Sequence, residues 1–405
     1  MKTKSVLIGL ILIISTSTSA QIGRTYSDGH GGRIFFPFGD ISFADELVSF
    51  NKGNPFQAEE YSNPQKALNI PDNDGSGDKN STGLGHGGEL IVKFTDNTLY
   101  DIDGYDLYVF EIGSGLEPVD VYISKNGVEW ISVGQTGGGF SKIDISEYVK
   151  KTDVFRYVKI VDVKDDASGE WPGAEIDAVG AIGSSMNFQL NSSVLFKSGE
   201  STIGEDKSSL YKIGEKIKNL GGLTIIEGYT DNVGSSESNL HLSEARAITI
   251  KSFFIDSCQI DANLLEINAY GEINPIADNN TEVGRMKNRR VEIIVFPKLN
   301  LNKNDVVGIW NTDWGELHIY RYGNIIAGWY TEDYGEILGE LSDEHTIIGK
   351  WVENDSGESC AESIYGRNHW GRMIMKFNDD FTELTTKWGY CTIEPTKEDW
   401  NGERK

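Results

Sequence analysis

From residue 21 to about 184 the apolar positions come in short runs: Leu90-Ile91-Val92-Lys93-Phe94, Leu107-Tyr108-Val109-Phe110, Val119 to Ile123, and Tyr157 to Val161. Turn formers such as Asn126-Gly127 and Thr136-Gly137-Gly138-Gly139 separate them. Short runs between such turns predict strands. With little helical period among them, residues 21–184 are expected to form an antiparallel, jelly-roll-like β-sandwich.

The period changes after 185. Leu210, Ile213, Ile217 and Leu220 recur three or four residues apart along Glu205 to Leu220, which is one face of a helix that Gly221-Gly222 should end. Leu223 to Glu227 reads as a short strand. Ser238 to Ser257 reads as a second helix with Leu242, Ala245, Ile248 and Phe253 among its apolar positions, and Asn239 is a candidate N-cap. Leu264 to Ala269 and Val291 to Phe296 complete a βαβαβ-type α+β module over 185–298. After the linker Pro297 to Asn304, residues 299–405 return to strand spacing, and seven of the nine tryptophans lie there. An all-β meander or small barrel is expected. Trp310, Trp314, Trp329, Trp351, Trp370, Trp388 and Trp400 can fill such a barrel or stack on sugar rings; at β spacing the core is the favoured role.

The first twenty residues differ from the rest. Lys2 and Lys4 precede an apolar run from Val6 to Ile14, and Ser15 to Ala20 is small and polar, ending in Thr18-Ser19-Ala20. Residues 1–20 therefore read as a cleavable secretory signal, too short for a membrane span. No cysteine follows the cleavage point, so a lipid anchor is not expected. Nowhere else do eighteen apolar residues run together, and no transmembrane span is expected.

A formal charge of −25, from 62 acidic against 37 basic residues, argues against nucleic acid or anionic lipid as the main partner. Of the three cysteines, Cys360 and Cys391 share the C-terminal region and are expected to pair in an oxidising compartment, while Cys258 at a helix end stays a buried thiol. No HExxH, Cys-x-x-Cys or GxSxG pattern is present, so no zinc site or serine-hydrolase elbow is readable.

The strongest local signal is Gly228-Tyr229-Thr230-Asp231-Asn232-Val233-Gly234, followed by Asn239-Leu240-His241-Leu242-Ser243-Glu244-Ala245-Arg246-Ala247. Gly271-Glu272-Ile273-Asn274-Pro275 and Gly284-Arg285-Met286-Lys287-Asn288-Arg289-Arg290-Val291-Glu292 come after it. These four pieces, in this order across about 110 residues, resemble the OmpA C-terminal domain family. The resemblance implies a non-catalytic module that grips peptidoglycan at the free diaminopimelate end of a stem peptide. It assigns Asp231 to the ligand's ammonium and Arg246 to its carboxylate, with Thr230, Asn239 and Leu242 completing the wall. It also implies a protein of the periplasm, held to the wall or the outer membrane. The chemistry is sound on its own terms: a zwitterion needs one anion and one planar bidentate cation held at fixed separation. The competing reading of Asp231 and Arg246 is an ordinary ion pair capping the helix. Arg289 and Arg290 begin a strand, and one of them is expected to brace the sheet through carboxylates. Where the family's first strand often carries Phe-Asp-x-Asn, this chain has Phe196-Lys197-Ser198-Gly199, so that asparagine's contribution is missing or taken over by backbone.

More weakly, Leu84-Gly85-His86-Gly87-Gly88, Val128-Glu129-Trp130 and Ala174-Glu175-Ile176-Asp177-Ala178-Val179 resemble discoidin-like, galactose-binding bacterial surface domains. That resemblance implies a sugar- or protein-binding module, often with structural calcium. Asp72 to Asp78 offers hard oxygens at alternate positions, as calcium loops do, but lacks the closing glutamate of an EF-hand. Asp72, Asp74 and Asp78, with Asp106, Glu175 and Asp177 as further donors, are the candidate calcium ligands; the alternative is a solvated acidic turn. Two other classes compete with the wall-binding reading. One is a wall or glycan hydrolase that the central module merely targets, and the other is a secretion-machinery component. Neither flank shows a nucleophile, metal or paired-acid motif.

Overall fold

The computed structural model describes residues 23–28, 33–56, 61–72, 80–112, 117–137, 141–163, 172–197, 199–298 and 305–405. The expected signal at 1–20 and the acidic positions Asp74 and Asp78 lie outside them.

Two antiparallel sheets build the N-terminal part. The five-stranded sheet runs in the order Glu46–Asn51, Glu89–Lys93, Tyr157–Asp162, Val119–Ser124, Ile131–Thr136. The four-stranded one runs Lys142–Ile143, Leu107–Ile112, Glu175–Ala181, Thr82–Gly83. Alternate residues of each strand turn inward, and Val92, Val121, Val158 and Ile160 of the first sheet share one core with Val109, Ile176 and Val179 of the second.

The central sheet has the order Leu265–Gly271, Gly221–Tyr229, Arg290–Pro297, Ser184–Asn191, Asn97–Leu99. Only the first pair is parallel. Helices Ser208–Leu220 and Ser236–Asp256 cover one face, where Leu210, Ile217, Ile250 and Phe254 pack on Ile226, Val291 and Ile293. The first helix ends as its sequence indicates: Gly221 sits at φ +66° and its N–H donates to the Ile217 carbonyl. The second helix starts earlier than predicted. Ser235, in extended conformation, caps it by accepting the Ser238 N–H, so Asn239 lies inside the first turn and is not the cap.

The fifth strand of the central sheet comes from the N-terminal part. Asn97–Leu99 pairs with the start of Ser184–Asn191, and the junction is held by Asn97 Nδ2 donating to Ser184 Oγ (2.9 Å) and by the Thr98 and Ser185 hydroxyls (2.5 Å). Strand Ser184–Asn191 thus straddles the predicted 184/185 boundary. The sheet's second face is buried against the sandwich, with Ile225, Ile294 and Phe296 meeting Tyr100 and Val154. That is why every residue of Arg290–Pro297 is buried.

The C-terminal part is a closed eight-stranded barrel. Its first strand, Gly308–Thr312, pairs with its last, Lys397–Arg404. Trp310, Trp351 and Trp400 fill the interior with Leu317, Ile337 and Met373. Trp370 and Trp388 are buried too, whereas Trp329 is half-buried under a stacked His318 (3.9 Å between ring centroids). The chain start is tied to this barrel: the Thr25 hydroxyl donates to buried Glu336 (2.6 Å), and Phe35 stacks on Tyr320 (4.5 Å).

Cys360 and Cys391 form a disulfide, and Cys258 is a buried free thiol. Alkylation of the unfolded, unreduced chain should label one cysteine, and prior reduction should raise this to three. The bond closes a separation of 31 residues, so reducing it should lower stability by about 3–4 kcal/mol on the loop-entropy estimate. Three labels without reductant would show that no disulfide forms.

Buried carboxyls give stability a definite pH slope. Burial, with like charge beside it, lifts Glu111 to about 8, and it lifts Glu353, next to the Tyr330 hydroxyl, to about 7. Each binds its proton more tightly folded than unfolded, so its contribution is complete below the ordinary carboxylate range and is lost as pH rises through 7 to 8. The melting temperature is therefore expected to be at least ~5 °C higher at pH 6 than at pH 9. A flat or rising profile would contradict these assignments.

Candidate functional site

The site forms where strand Gly221–Tyr229 runs out and helix Ser236–Asp256 begins. Gly228 lets the two elements touch: a Cβ there would lie 2.2 Å from the Ser243 carbonyl oxygen. The Ser243 hydroxyl in turn accepts the Gly271 N–H (3.0 Å), and the Thr230 N–H donates to the Gly271 carbonyl (2.7 Å). Strand ends and helix are thus pinned before any side chain of the site is placed. Gly234, predicted to turn the chain sharply, has φ +106°, a conformation costly for any residue with a Cβ.

Asp231 is nearly buried and doubly engaged. Oδ1 accepts the Val233 N–H (3.1 Å), and Oδ2 accepts Arg289 Nη1 (2.5 Å). Arg289 also donates from Nη2 to the exposed carboxylate of Glu282 (2.8 Å). Asp231 therefore pairs across 58 residues with Arg289, and no ion pair joins it to Arg246.

Arg246 is held differently. Only 3% of it is exposed; its Nε donates to the Glu200 carbonyl (3.0 Å), and its guanidinium lies over the Phe196 ring (5.2 Å). Among the described residues, its two terminal nitrogens have no acceptor. Burial, with the positive charge of Arg289, weakens its hold on its proton, and Asp231 counters this. Two guanidiniums thus bear on one buried carboxylate, and only one of them is tied to it.

The Thr230 hydroxyl donates to the Asp231 carbonyl (2.9 Å) and shapes the turn. Asn239 is buried and donates to Glu272 (2.7 Å), which also receives the Ser236 hydroxyl (2.8 Å). Leu242 is half-buried on the same helix. Directly after the segment that lacks the family's asparagine, the Glu200 carbonyl accepts from Arg246.

Sequence reasoning missed Arg289, Glu272, Glu200 and Glu282 as neighbours of these groups. Strand alternation carried part of the signal. Arg290 and Glu292, two apart, fall on one face and bond there (2.5 Å), which makes Arg290 the sheet brace. Arg289, just ahead of the strand, is free to turn the other way.

Among the described residues, Asp72, Asp106, Glu175 and Asp177 do not gather as one group of carboxylates. The Asp72 N–H donates to Asp177 Oδ1 (3.4 Å), whereas the Asp106 oxygens each accept one backbone N–H, those of Ile102 (2.7 Å) and Ile145 (2.8 Å). Among the described residues, Asp106 keeps company with Asp101 and Asp144, and Asp72, Glu175 and Asp177 are not in that group. The reason is topological. Glu175 and Asp177 lie on strand Glu175–Ala181, while Asp106 ends the loop before Leu107–Ile112 and meets the chain at Ile143 and Ile182.

Residues 195–289 match the OmpA family model. The chain is 36% identical over 118 residues to Motility protein B of Bacillus subtilis, covering 27% of this chain and 44% of that protein. It is 38% identical over 108 residues to the outer membrane protein Omp38 of Acinetobacter baumannii, covering 26% and 30%. It is 38% identical over 98 residues to the peptidoglycan-binding protein ArfA of Mycobacterium tuberculosis, covering 24% and 30%. The chain thus spans less than half the length of each of these relatives. Among the described residues no helix is long and apolar enough to cross a membrane.

Proposed function

We propose that this chain is a non-catalytic cell-envelope protein that binds peptidoglycan through its central module, taking the diaminopimelate end of a stem peptide between Asp231 and Arg246. The observation that carries the reading is the state of Arg246: buried, fixed at Nε and by Phe196, with two terminal nitrogens that no described residue accepts from. A buried guanidinium left half-used is costly unless something else supplies the acceptor. A ligand carboxylate does so with the parallel two-bond geometry that arginine favours. Asp231 keeps acceptor capacity on Oδ1, which takes a single N–H, and a ligand ammonium can use it. Thr230, Asn239 and Leu242 wall the pocket.

In this reading the protein is secreted and works in the periplasm. Its sandwich and barrel are held to the wall and offered to a glycan or another envelope protein. The test is co-sedimentation of the full chain with purified sacculi of two kinds, one with diaminopimelate in its stem peptides and one with lysine there. Lysine lacks the second carboxylate, so the chain should pellet with the first kind only. A chain that stays in the supernatant with both, or pellets equally with both, sinks the proposal.

A further inference from the structure

A cluster of three carboxylates stands apart from the wall-binding site, where the sandwich hands the chain to the central sheet. Asp101 and Asp106 flank the loop between strands Asn97–Leu99 and Leu107–Ile112, and Asp144 directly follows strand Lys142–Ile143. Each offers one oxygen, and the three oxygens lie within 4.8 Å of one another. Two of the three residues are buried: Asp106 is 0% exposed and Asp101 5%.

Backbone N–H groups fix two of the three carboxylates. The Asp106 oxygens accept the Ile102 and Ile145 N–H groups, and its carbonyl accepts those of Ile182 (2.7 Å) and Gly183 (3.0 Å). Asp144 Oδ1 accepts the Ser146 N–H (2.9 Å). Asp101 is the exception. Its Oδ1 is buried and has no hydrogen-bond partner. Lys151, which is exposed and bonded to Asp103 (2.7 Å), favours the charged form of Asp101 without bonding to it. Among the described residues no ion pair reaches Asp101, Asp106 or Asp144.

Three like charges in a partly dry site, one of them on a side chain with a buried, unpartnered oxygen, are unstable unless protons or a cation neutralise them. Burial does raise the proton affinity of the pair, Asp106 to about 7. An ion does the same work without asking Asp106 to give up an acceptor position. Oxygens that share a cation at about 2.3–2.6 Å from each must lie within about 4.6–5.2 Å of one another, and these do. The donor set holds neither sulfur nor imidazole, which disfavours zinc. Its irregular outline, open to water on the Asp144 side, suits the flexible coordination of calcium better than the strict octahedron of magnesium.

We propose that Asp101, Asp106 and Asp144 bind a calcium ion, which staples the Tyr100–Asp106 loop to the end of strand Lys142–Ile143 and stiffens the joint between sandwich and central sheet. The test uses the full chain, with calcium chloride as the probe. The melting temperature should rise by at least ~3 °C from chelator to 5 mM calcium, and calorimetry should show a single saturable site. Asp101→Asn should lose that rise and also melt higher than wild type in chelator, because it removes one of the crowded charges. Asp144→Asn, at the exposed end, leaves the buried pair intact and should weaken calcium binding at least tenfold. Identical wild-type melts with and without calcium overturn the site. So does a calcium response that survives unchanged in both variants, which would place the ion elsewhere.

Discussion

Full-length Arg246→Ala is expected to remain folded and to release from sedimented diaminopimelate-type peptidoglycan, with affinity reduced ten- to a hundredfold. Charge-assisted bonds to a ligand carboxylate contribute about 1.5–3 kcal/mol, which is that range of affinity. Within the protein the guanidinium gives up one bond to the Glu200 carbonyl and its place over Phe196, so the structural cost should be modest. Asp231→Asn should weaken binding to a similar degree and cost more stability, because Arg289 loses the partner it holds at 2.5 Å. That asymmetry discriminates between the two roles. A purely structural role for both residues predicts large stability losses in both variants, with wall binding kept by whatever remains folded. Denaturant melts run beside the co-sedimentation assay read both quantities.

Arg156→Ala should destabilise the whole chain by about 3–5 kcal/mol, since breaking a buried ion network leaves uncompensated charge. Arg156 reaches from the sandwich to the far face of the central sheet, bonding Glu292 (2.5 Å) and Glu227 (3.2 Å). Glu292 is also held by Arg290 (2.5 Å), while Glu227 has the Tyr229 hydroxyl (2.8 Å) and, more distantly, that of Tyr270 (3.4 Å). Without Arg156 the Glu292 carboxylate keeps Arg290, while Glu227 is left with tyrosine hydroxyls and no bonded cation. Adding Glu227→Gln to Arg156→Ala should then recover part of the loss, because an amide oxygen can still accept from Tyr229 without carrying charge. If the double variant is no more stable than the single one, the damage lies in lost packing and not in stranded charge.

The central module was the most legible part of the sequence. Leu210, Ile213, Ile217 and Leu220 announce a helix whose end Gly221 marks, and the structure keeps both. Glycines 228 and 234 sit where a Cβ would collide or strain the turn. Helix starts were less legible. Ser235 and Asn239 are both good capping residues, and only the extended backbone at Ser235 decides between them. The calcium reading centred on the acidic run at 72–78 and named Asp106 only as a further donor; the described carboxylates beside it, Asp101 and Asp144, lie 43 positions apart and share no short window.

By itself, then, the sequence determined what is settled within a few residues: helical period, turn chemistry, and the motif that places Asp231 and Arg246 on adjoining elements. Tertiary structure alone decided which charge meets which. It paired Asp231 with Arg289 and left Arg246 half-used, it set Arg156 against Glu292 across 136 positions, and it drew Asn97–Leu99 out of the sandwich into the central sheet. It also closed the C-terminal meander into a barrel by joining Trp310 to Arg404 in register. Local preferences act through bonds between near neighbours and leave a readable period. The partner of a buried charge or an open strand edge depends on which surfaces are buried together, and that is settled only when the whole chain has packed.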